Sequence, residues 1–131
     1  MLLTELTNYL EAQGVAKKGN NLFAGLRPEE PDEVLVLHEY PGMAPEYQND
    51  GQSTGPVRER PQVQVMGRGK DYESVRAMVQ AAWVALGKIT NVTLSGARYI
   101  EVRPSSSPAL LGRDSNDRVL IGFNASVIRE V

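Results

Sequence analysis

Apolar residues near the amino terminus recur at the spacing of a helix. Leu3, Leu6 and Leu10 follow one another at steps of three and four residues, which places them on one side of a helix. Gly14 then provides a stop signal, because glycine is common just after the last helical residue. The pattern therefore predicts a first helix over residues 3–13.

Three stretches in the first half have the composition or the alternation of β-strands. Residues 34–40 are mainly β-branched, aliphatic and aromatic, which favours a strand. Val63 and Val65 alternate with glutamines over residues 62–68, as a strand with one buried face requires. Residues 22–26 are a further short run rich in apolar residues, and we expect a strand there as well.

A longer helix is predicted over residues 72–86. Asp71 stands where a helix N-cap is expected, and Gly87 stands where a left-handed glycine would end the helix. The stripe of apolar residues on this helix is expected to pack on the sheet, with Trp83 in the core. Its members are Tyr72, Val75, Val79, Ala82, Trp83 and Leu86.

The last third of the sequence predicts two more strands, over residues 97–103 and 118–131. In the second strand alternate residues are apolar: Val119, Ile121, Phe123, Ala125 and Val127. The whole chain then has the order α-β-β-β-α-β-β. We expect an α+β fold in which a single mixed, mainly antiparallel β-sheet carries two helices packed on one face, in one domain over residues 1–131.

The segment between residues 41 and 61 has no sustained apolar period. It is rich in proline and glycine, so we expect a long loop at about 41–61. Residues 43–59 are predicted to be mobile until a partner orders them. Tyr47, Arg58 and Arg60 are the candidate interface residues, because aromatic and arginine side chains contribute much of the binding energy at protein interfaces.

The composition argues against several classes of function. The 131 residues include no cysteine and a single histidine, which excludes a disulfide framework and a thiolate metal site. The formal net charge of −2 gives no electrostatic drive towards DNA or an anionic membrane. No run approaches the roughly 20 apolar residues that cross a bilayer, and the first residues lack a secretory pattern. We expect a protein without cofactors, made and kept in a cytoplasm.

Candidate catalytic and metal-binding residues are few. His38 lies alone in a predicted strand and no Gly-x-Ser-x-Gly motif accompanies it, so we expect that the protein is not an enzyme. The acidic residues within 29–33, and the pair Asp114 and Asp117, do not follow the ligand spacing of a calcium-binding loop. We therefore expect turns and solvated edges at both places.

Two alternatives to a purely structural protein stay open. The turn formed by Gly67, Arg68, Gly69 and Lys70 precedes a helix, which is where backbone amides and a lysine can bind a phosphate group. That interpretation would make the chain a small phosphate- or nucleotide-binding protein, although the turn lacks the spacing of a P-loop. The other alternative is a bacterial partner-binding domain without a specialised role.

Three motifs in combination resemble those of a known family. Tyr40-Pro41-Gly42 follows a predicted strand, and the sequence RPQVQVMGRGKDY at residues 60–72 leads from a strand into a helix. The sequence LGRDSNDR at residues 111–118 precedes the last strand. Together they resemble the small minor capsid and tail terminator proteins, or head-tail joining proteins, of long-tailed bacteriophages.

This resemblance implies a function by assembly. Proteins of that kind form a ring, typically a homohexamer, that caps the tail tube, ends its polymerisation and joins the tail to the head connector. DNA passes through the ring without specific binding. The resemblance therefore implies three protein partners, which are further copies of the chain, the tail tube protein and head connector proteins. It places the protein in the virion, in the tail or at the head-tail junction, after assembly in the cytoplasm of the bacterial host.

Overall fold

The computed structural model describes residues 1–47 and 55–131. These residues form the elements α1 (Leu2–Ala12), β1 (Leu22–Ala24), β2 (Val34–Tyr47), β3 (Pro56–Gly69), α2 (Tyr72–Gly87), β4 (Thr90–Leu94), β5 (Ala97–Pro104), β6 (Ala109–Arg113) and β7 (Val119–Glu130). The predicted α+β fold class is confirmed. The seven predicted elements occur in the predicted order, and the short strands β4 and β6 add to them.

One mixed sheet contains all seven of these strands. Its order is β1-β2-β3-β7-β5-β4, and β6 pairs with β7 outside this path. β1 pairs with β2 in parallel, whereas the other pairs are antiparallel. β7 has β3 on one side, while its other side pairs with β6 along the first half and with β5 along the second half. β7 is therefore shared by two parts of the sheet.

The core lies between one face of the sheet and the two helices. The alternation predicted for β7 is confirmed, because the five alternating apolar residues are at most 3% exposed whereas Asn124 and Ser126 face solvent. Each buried leucine or valine contributes about 1.5–3 kcal/mol, so this layer is the main source of stability. From the helices it receives Leu2, Leu6, Leu10, Val75, Val79, Ala82, Ala85 and Leu86.

α2 approaches β3 closely because two glycines of the strand lie beneath it. A Cβ atom on Gly67 would stand 2.5 Å from Val79 Cγ2, and one on Gly69 would stand 2.6 Å from Val75 Cγ2. Both distances are shorter than van der Waals contact, so a larger residue would push the helix away from the sheet. The two glycines thus serve the packing of the helix on the sheet.

The predicted loop at about 41–61 is wrong for most of its length. β2 continues to Tyr47 and β3 begins at Pro56, so the chain on both sides is strand. The prolines and glycines were expected to prevent pairing, but they lie at positions where the ladder tolerates them. Residues 48–54, which belong to the segment predicted to be mobile, lie outside the described residues.

Four details of α2 also differ from the prediction. Trp83 is half-buried and packs on the margin of the core, with its indole N–H donating to the Ser106 carbonyl at 3.0 Å, because it lies at the edge of the apolar stripe. Tyr72, which was predicted on the buried stripe, is 46% exposed. The helix ends in a right-handed turn at Lys88 and not in a left-handed Gly87, and the side chain of Asp71 makes no capping hydrogen bond.

The close approach of α2 to β3 predicts a cost for adding a single methyl group. Gly67→Ala should destabilise the protein by about 1–3 kcal/mol, because the new Cβ overlaps Val79. Gly87→Ala is the matched control, since nothing lies within 4 Å of its added Cβ, and we expect it to be neutral or to stabilise by up to about 1 kcal/mol. Urea titration measures both. Equal stability of the two variants would contradict the packing role of Gly67.

Candidate assembly surface

Residues 41–47 of β2 and 56–61 of β3 form a two-stranded extension, which we call the arm. Its strands are paired through Met43 with Arg60, Glu46 with Arg58 and Tyr47 with Pro56, and the register shifts between each of these pairs. The end of β7 supports the arm from one side, because Arg58 pairs with Glu130. The arm is therefore an irregular continuation of the central strands beyond the part covered by the helices.

Three prolines of the arm lie where the sheet ladder is free or interrupted. β1 pairs with β2 only as far as Leu37, so Pro41 and Pro45 lie on a sheet edge, which is where proline is tolerated. Pro61 lies in a gap of the β3–β7 ladder, between the pairs of Glu59 and Gln62. The free edge and the gap are consequences of strand order and register, which the sequence pattern does not contain.

The structure brings two of the three candidate interface residues together. Arg58 and Arg60 both form ion pairs with Glu46 across the arm, at 3.4 Å from Arg58 Nη1 to Glu46 Oε2. Tyr47 lies beside Glu46 at the outer end of the described part of β2 and is 61% exposed. Met43 is exposed to a similar degree, 68%, so the arm presents two large apolar side chains to solvent.

Four side chains at the foot of the arm form a polar network, the arm-base cluster of Glu5, Glu59, Tyr99 and Arg129. Arg129 donates to both Glu5 and Glu59, and its guanidinium lies 5.9 Å from the centre of the Tyr99 ring. The Tyr99 hydroxyl donates to Glu5 at 2.7 Å. Because these residues come from α1, β3, β5 and β7, the cluster fixes the first helix to the base of the arm.

The cluster changes the acidity of its buried members. Burial raises the pKa of Glu5, but hydrogen bonds from Tyr99 and the amino terminus together with the charge of Arg129 outweigh it, so the pKa lies below the ordinary value of 4.5. Burial and the neighbouring Glu5 raise the pKa of Tyr99. Glu5 is therefore ionised and Tyr99 neutral at physiological pH, which keeps the network intact.

A groove of about 650 Å³ opens beside this cluster. We call it the arm groove. It is lined by apolar residues from the arm and both chain ends, including Leu2, Met43, Pro45, Pro61 and Val131. Glu39 and Arg60 lie at its wall as well. Apolar walls with a few charged groups suit a contact with another protein surface.

Residues 67–70 were predicted as a phosphate-binding turn, but Gly67, Arg68 and Gly69 are the last residues of strand β3. Arg68 is 1% exposed and donates to the backbone carbonyl groups of Glu29, Pro31 and Asp32. Lys70 pairs with Asp32 at 3.4 Å from Nζ to Oδ2. The hydroxyl of Ser74 in the first turn of α2 donates to Glu33 at 2.6 Å, so a carboxylate already lies at this helix end. The arrangement disfavours an anion.

The acidic residues near the turn bind an arginine of the same chain. Arg118 is 3% exposed and pairs with Asp114 at 2.8 Å, Glu29 at 3.1 Å and Asp32 at 3.4 Å.

Among residues 1–47 and 55–131 no group of three or more acidic or histidine side chains is arranged for a metal ion. His38 lies half-buried on β2, opposite Gln64. No helix in the described part of the chain is long and apolar enough to cross a membrane.

The sequence analysis missed the arm-base cluster and the apolar edge of β6. Glu5 carried a signal, because it falls on the buried side of α1 between Leu2 and Leu6, where a carboxylate needs a partner. Its partner Arg129 is 124 residues away in the sequence, so no local pattern indicates the pair. In β6, Leu110 and Leu111 are 54% and 50% exposed, in a strand too short to show alternation.

The exposed arm and the apolar groove are surfaces suited to contact with other proteins. The chain belongs to the bacteriophage tail terminator protein family, whose model matches residues 9–131. It is thus a structural protein of phage-type virions, and the resemblance seen in its motifs is confirmed. No curated protein sequence matches the chain.

The fold is also found in a solved phage-like particle. A chain from a structure described as the virion of a native gene transfer agent particle superposes with a TM-score of 0.64 at 14% identity. The match covers 96% of this chain and 95% of that chain. At this identity the likeness concerns the fold, which extends over nearly the full length of both chains.

The arm-base cluster predicts a specific pH dependence of stability. The contribution of Glu5 is fully present above its ordinary pKa of 4.5 and is lost as the pH falls through its lowered pKa in the folded protein. Glu5→Gln should reduce stability by about 1–3 kcal/mol at neutral pH, because Arg129 loses a charged partner.

As the pH falls from about 5 to about 3, the stability of Glu5→Gln should decrease less than that of the natural protein. Thermal unfolding followed by circular dichroism across this range measures the difference. Glu73→Gln, an exposed residue in the first turn of α2, is the control and should keep the natural pH profile. Parallel pH profiles of Glu5→Gln and the natural protein would contradict the assignment.

Proposed function

We propose that the protein is the tail terminator, or head-tail joining, subunit of a tailed phage or phage-like particle. In this role copies of the chain form a ring on the tail tube, end its polymerisation and provide the surface that the head connector meets. The match to the tail terminator family over residues 9–131 is the observation that carries the proposal. The virion, at the tail or the head-tail junction, is the proposed location, with assembly in the host cytoplasm.

Symmetry gives the expected form of the ring. Subunits that join through two different surfaces make a head-to-tail contact, which closes when the rotation per subunit divides the circle. A ring stacked on a tail tube must match the symmetry of that tube, and six subunits are expected from the resemblance. DNA would pass through the centre without specific contacts, and the net charge of −2 is compatible with such a passage.

The arm is the proposed contact region for the other virion proteins. Tyr47 and Met43 have exposed apolar side chains. The charged side chains of Arg58 and Arg60 lie on the same arm and form ion pairs with Glu46. Aromatic and arginine side chains at a protruding site have the composition of binding hot spots. The phosphate- or nucleotide-binding alternative has weaker support, because Arg68 and Lys70 are engaged with the chain's own residues 29–32.

Assembly without the protein tests the proposed function directly. Tails produced in its absence should be heterogeneous and longer than normal, because tube growth lacks a terminator, and they should fail to join heads. Electron microscopy of particles with and without the protein measures tail length and head joining. Tails of unchanged, uniform length together with normal joining would exclude both the terminator and the joining function.

A single substitution in the arm should separate assembly from folding. Tyr47→Ala should change the stability of the free protein by no more than about 0.5 kcal/mol, since the side chain is exposed. It should weaken binding to isolated tail tubes about tenfold or more if Tyr47 is a hot spot. Tyr72→Ala, which removes a tyrosine outside the arm, is the control and should bind normally. Co-sedimentation with the tubes measures both, and unchanged binding of Tyr47→Ala would exclude this residue as a contact.

A further inference from the structure

β6 presents an apolar edge of the sheet. It pairs with β7 on one side, and the register shifts between Leu110 and Gly112, which leaves Leu111 in a bulge. Leu110 and Leu111 are both about half exposed. Bulges redirect side chains and interrupt regular backbone pairing. A partner at this edge would therefore meet leucine side chains and not a continuous row of backbone hydrogen-bonding groups.

The other edges among the described residues are protected. The free edge of β2 contains Pro41 and Pro45, which cannot donate hydrogen bonds to an added strand. The outer strand β1 has only three residues, and the outer strand β4 is mainly polar. β6 has a bulge but no proline, and it differs from these edges in exposing two neighbouring leucines. An exposed apolar edge of this kind is typical of a surface that is covered in an assembly.

A surface of suitable chemistry lies elsewhere on the same chain. The arm groove has apolar walls, and Glu39 at its wall makes no ion pair within the described part of the chain. On β6, Arg113 follows two residues after Leu111 and pairs only with the exposed Asp117, at 3.4 Å, among the described residues. Each surface therefore has apolar side chains and one charged residue, and the two charges, Glu39 in the groove and Arg113 on β6, are opposite in sign.

The two surfaces are too far apart to meet within one molecule. Leu110 pairs with Ile121, whereas Met43 pairs with Arg60 at the other end of the same sheet. About seven residues along β7 and three strand spacings separate them, which gives roughly 25 Å. A contact between them must therefore join two copies, and it uses a different surface on each copy, as a ring requires.

We propose that the β6 edge of one subunit, with Leu110 and Leu111, enters the arm groove of the next subunit, where Arg113 meets Glu39. This contact rests on the proposed function, since it supplies the subunit-to-subunit joint of the ring. The occupant of the groove is thus a second copy of this chain.

Cysteine cross-linking tests the contact cleanly, because the natural chain contains no cysteine. The double variant Met43→Cys with Leu110→Cys should form a ladder of disulfide-linked oligomers on tails or in concentrated solution, up to the ring number. A disulfide requires Cα atoms within about 7 Å, so no bond can form inside one subunit. A mixture of the two single variants should give dimers and no ladder.

The controls distinguish this contact from the proposed function. Val84→Cys with Leu110→Cys places one cysteine on the exposed side of α2 and should give no ladder. Rings visible by electron microscopy on tails without a ladder from Met43→Cys with Leu110→Cys would overturn the contact and leave the terminator function standing. Absence of rings from tails assembled with the natural protein would overturn the proposed function itself.

A charge exchange provides an independent test. Glu39→Arg and Arg113→Glu should each weaken subunit association about fivefold, which is the effect expected for one exposed ion pair. The double variant should recover most of the loss, because the pair is restored with opposite polarity. Analytical ultracentrifugation measures the association, and circular dichroism checks that each variant is folded. Additive losses in the double variant would overturn the pairing of Arg113 with Glu39.

Discussion

The structure depends on the pairing of β7 with three other strands. β7 has 12 residues and pairs with β3 on one side and with β6 and β5 on the other. A strand of this length reaches about 40 Å. Its last residues therefore support the arm, and Arg129 near its end joins the arm to α1 and β5. Its first residues hold β6 at the other end.

Local patterns in the sequence were sufficient to predict the helices and strands that bury one side against the core. The second helix, the alternation of β7 and the strand over residues 62–68 all follow from side chains that face a single core. The arm could not be predicted in this way, because the cost of Pro41, Pro45 or Pro61 depends on which backbone groups a neighbouring strand would use. That neighbour is set by strand order and register, and both are properties of the whole fold.

The candidate site was predictable only in part. The sequence analysis placed Tyr47, Arg58 and Arg60 in one segment, but the ion pairs of both arginines with Glu46 depend on the register of an irregular ladder. A phosphate site at residues 67–70 is disfavoured for a geometric reason. Successive strand residues point to opposite faces, so Gly67 faces α2 while Arg68 points away from the helix.

A subunit that joins its neighbours through unlike surfaces risks growing into a filament if the contact does not close. An open ladder of backbone hydrogen bonds would make this risk larger, because any exposed strand can extend it. The chain limits ladder growth at both places: Pro41 and Pro45 interrupt the edge of the arm, and a bulge at Leu111 interrupts β6. A contact at these two places would therefore depend on the shape and charge of side chains and not on backbone pairing. In the proposed ring, such a contact fixes the angle between subunits more narrowly than strand addition would, because an added strand can slip in register. A fixed angle is what a ring of definite number requires.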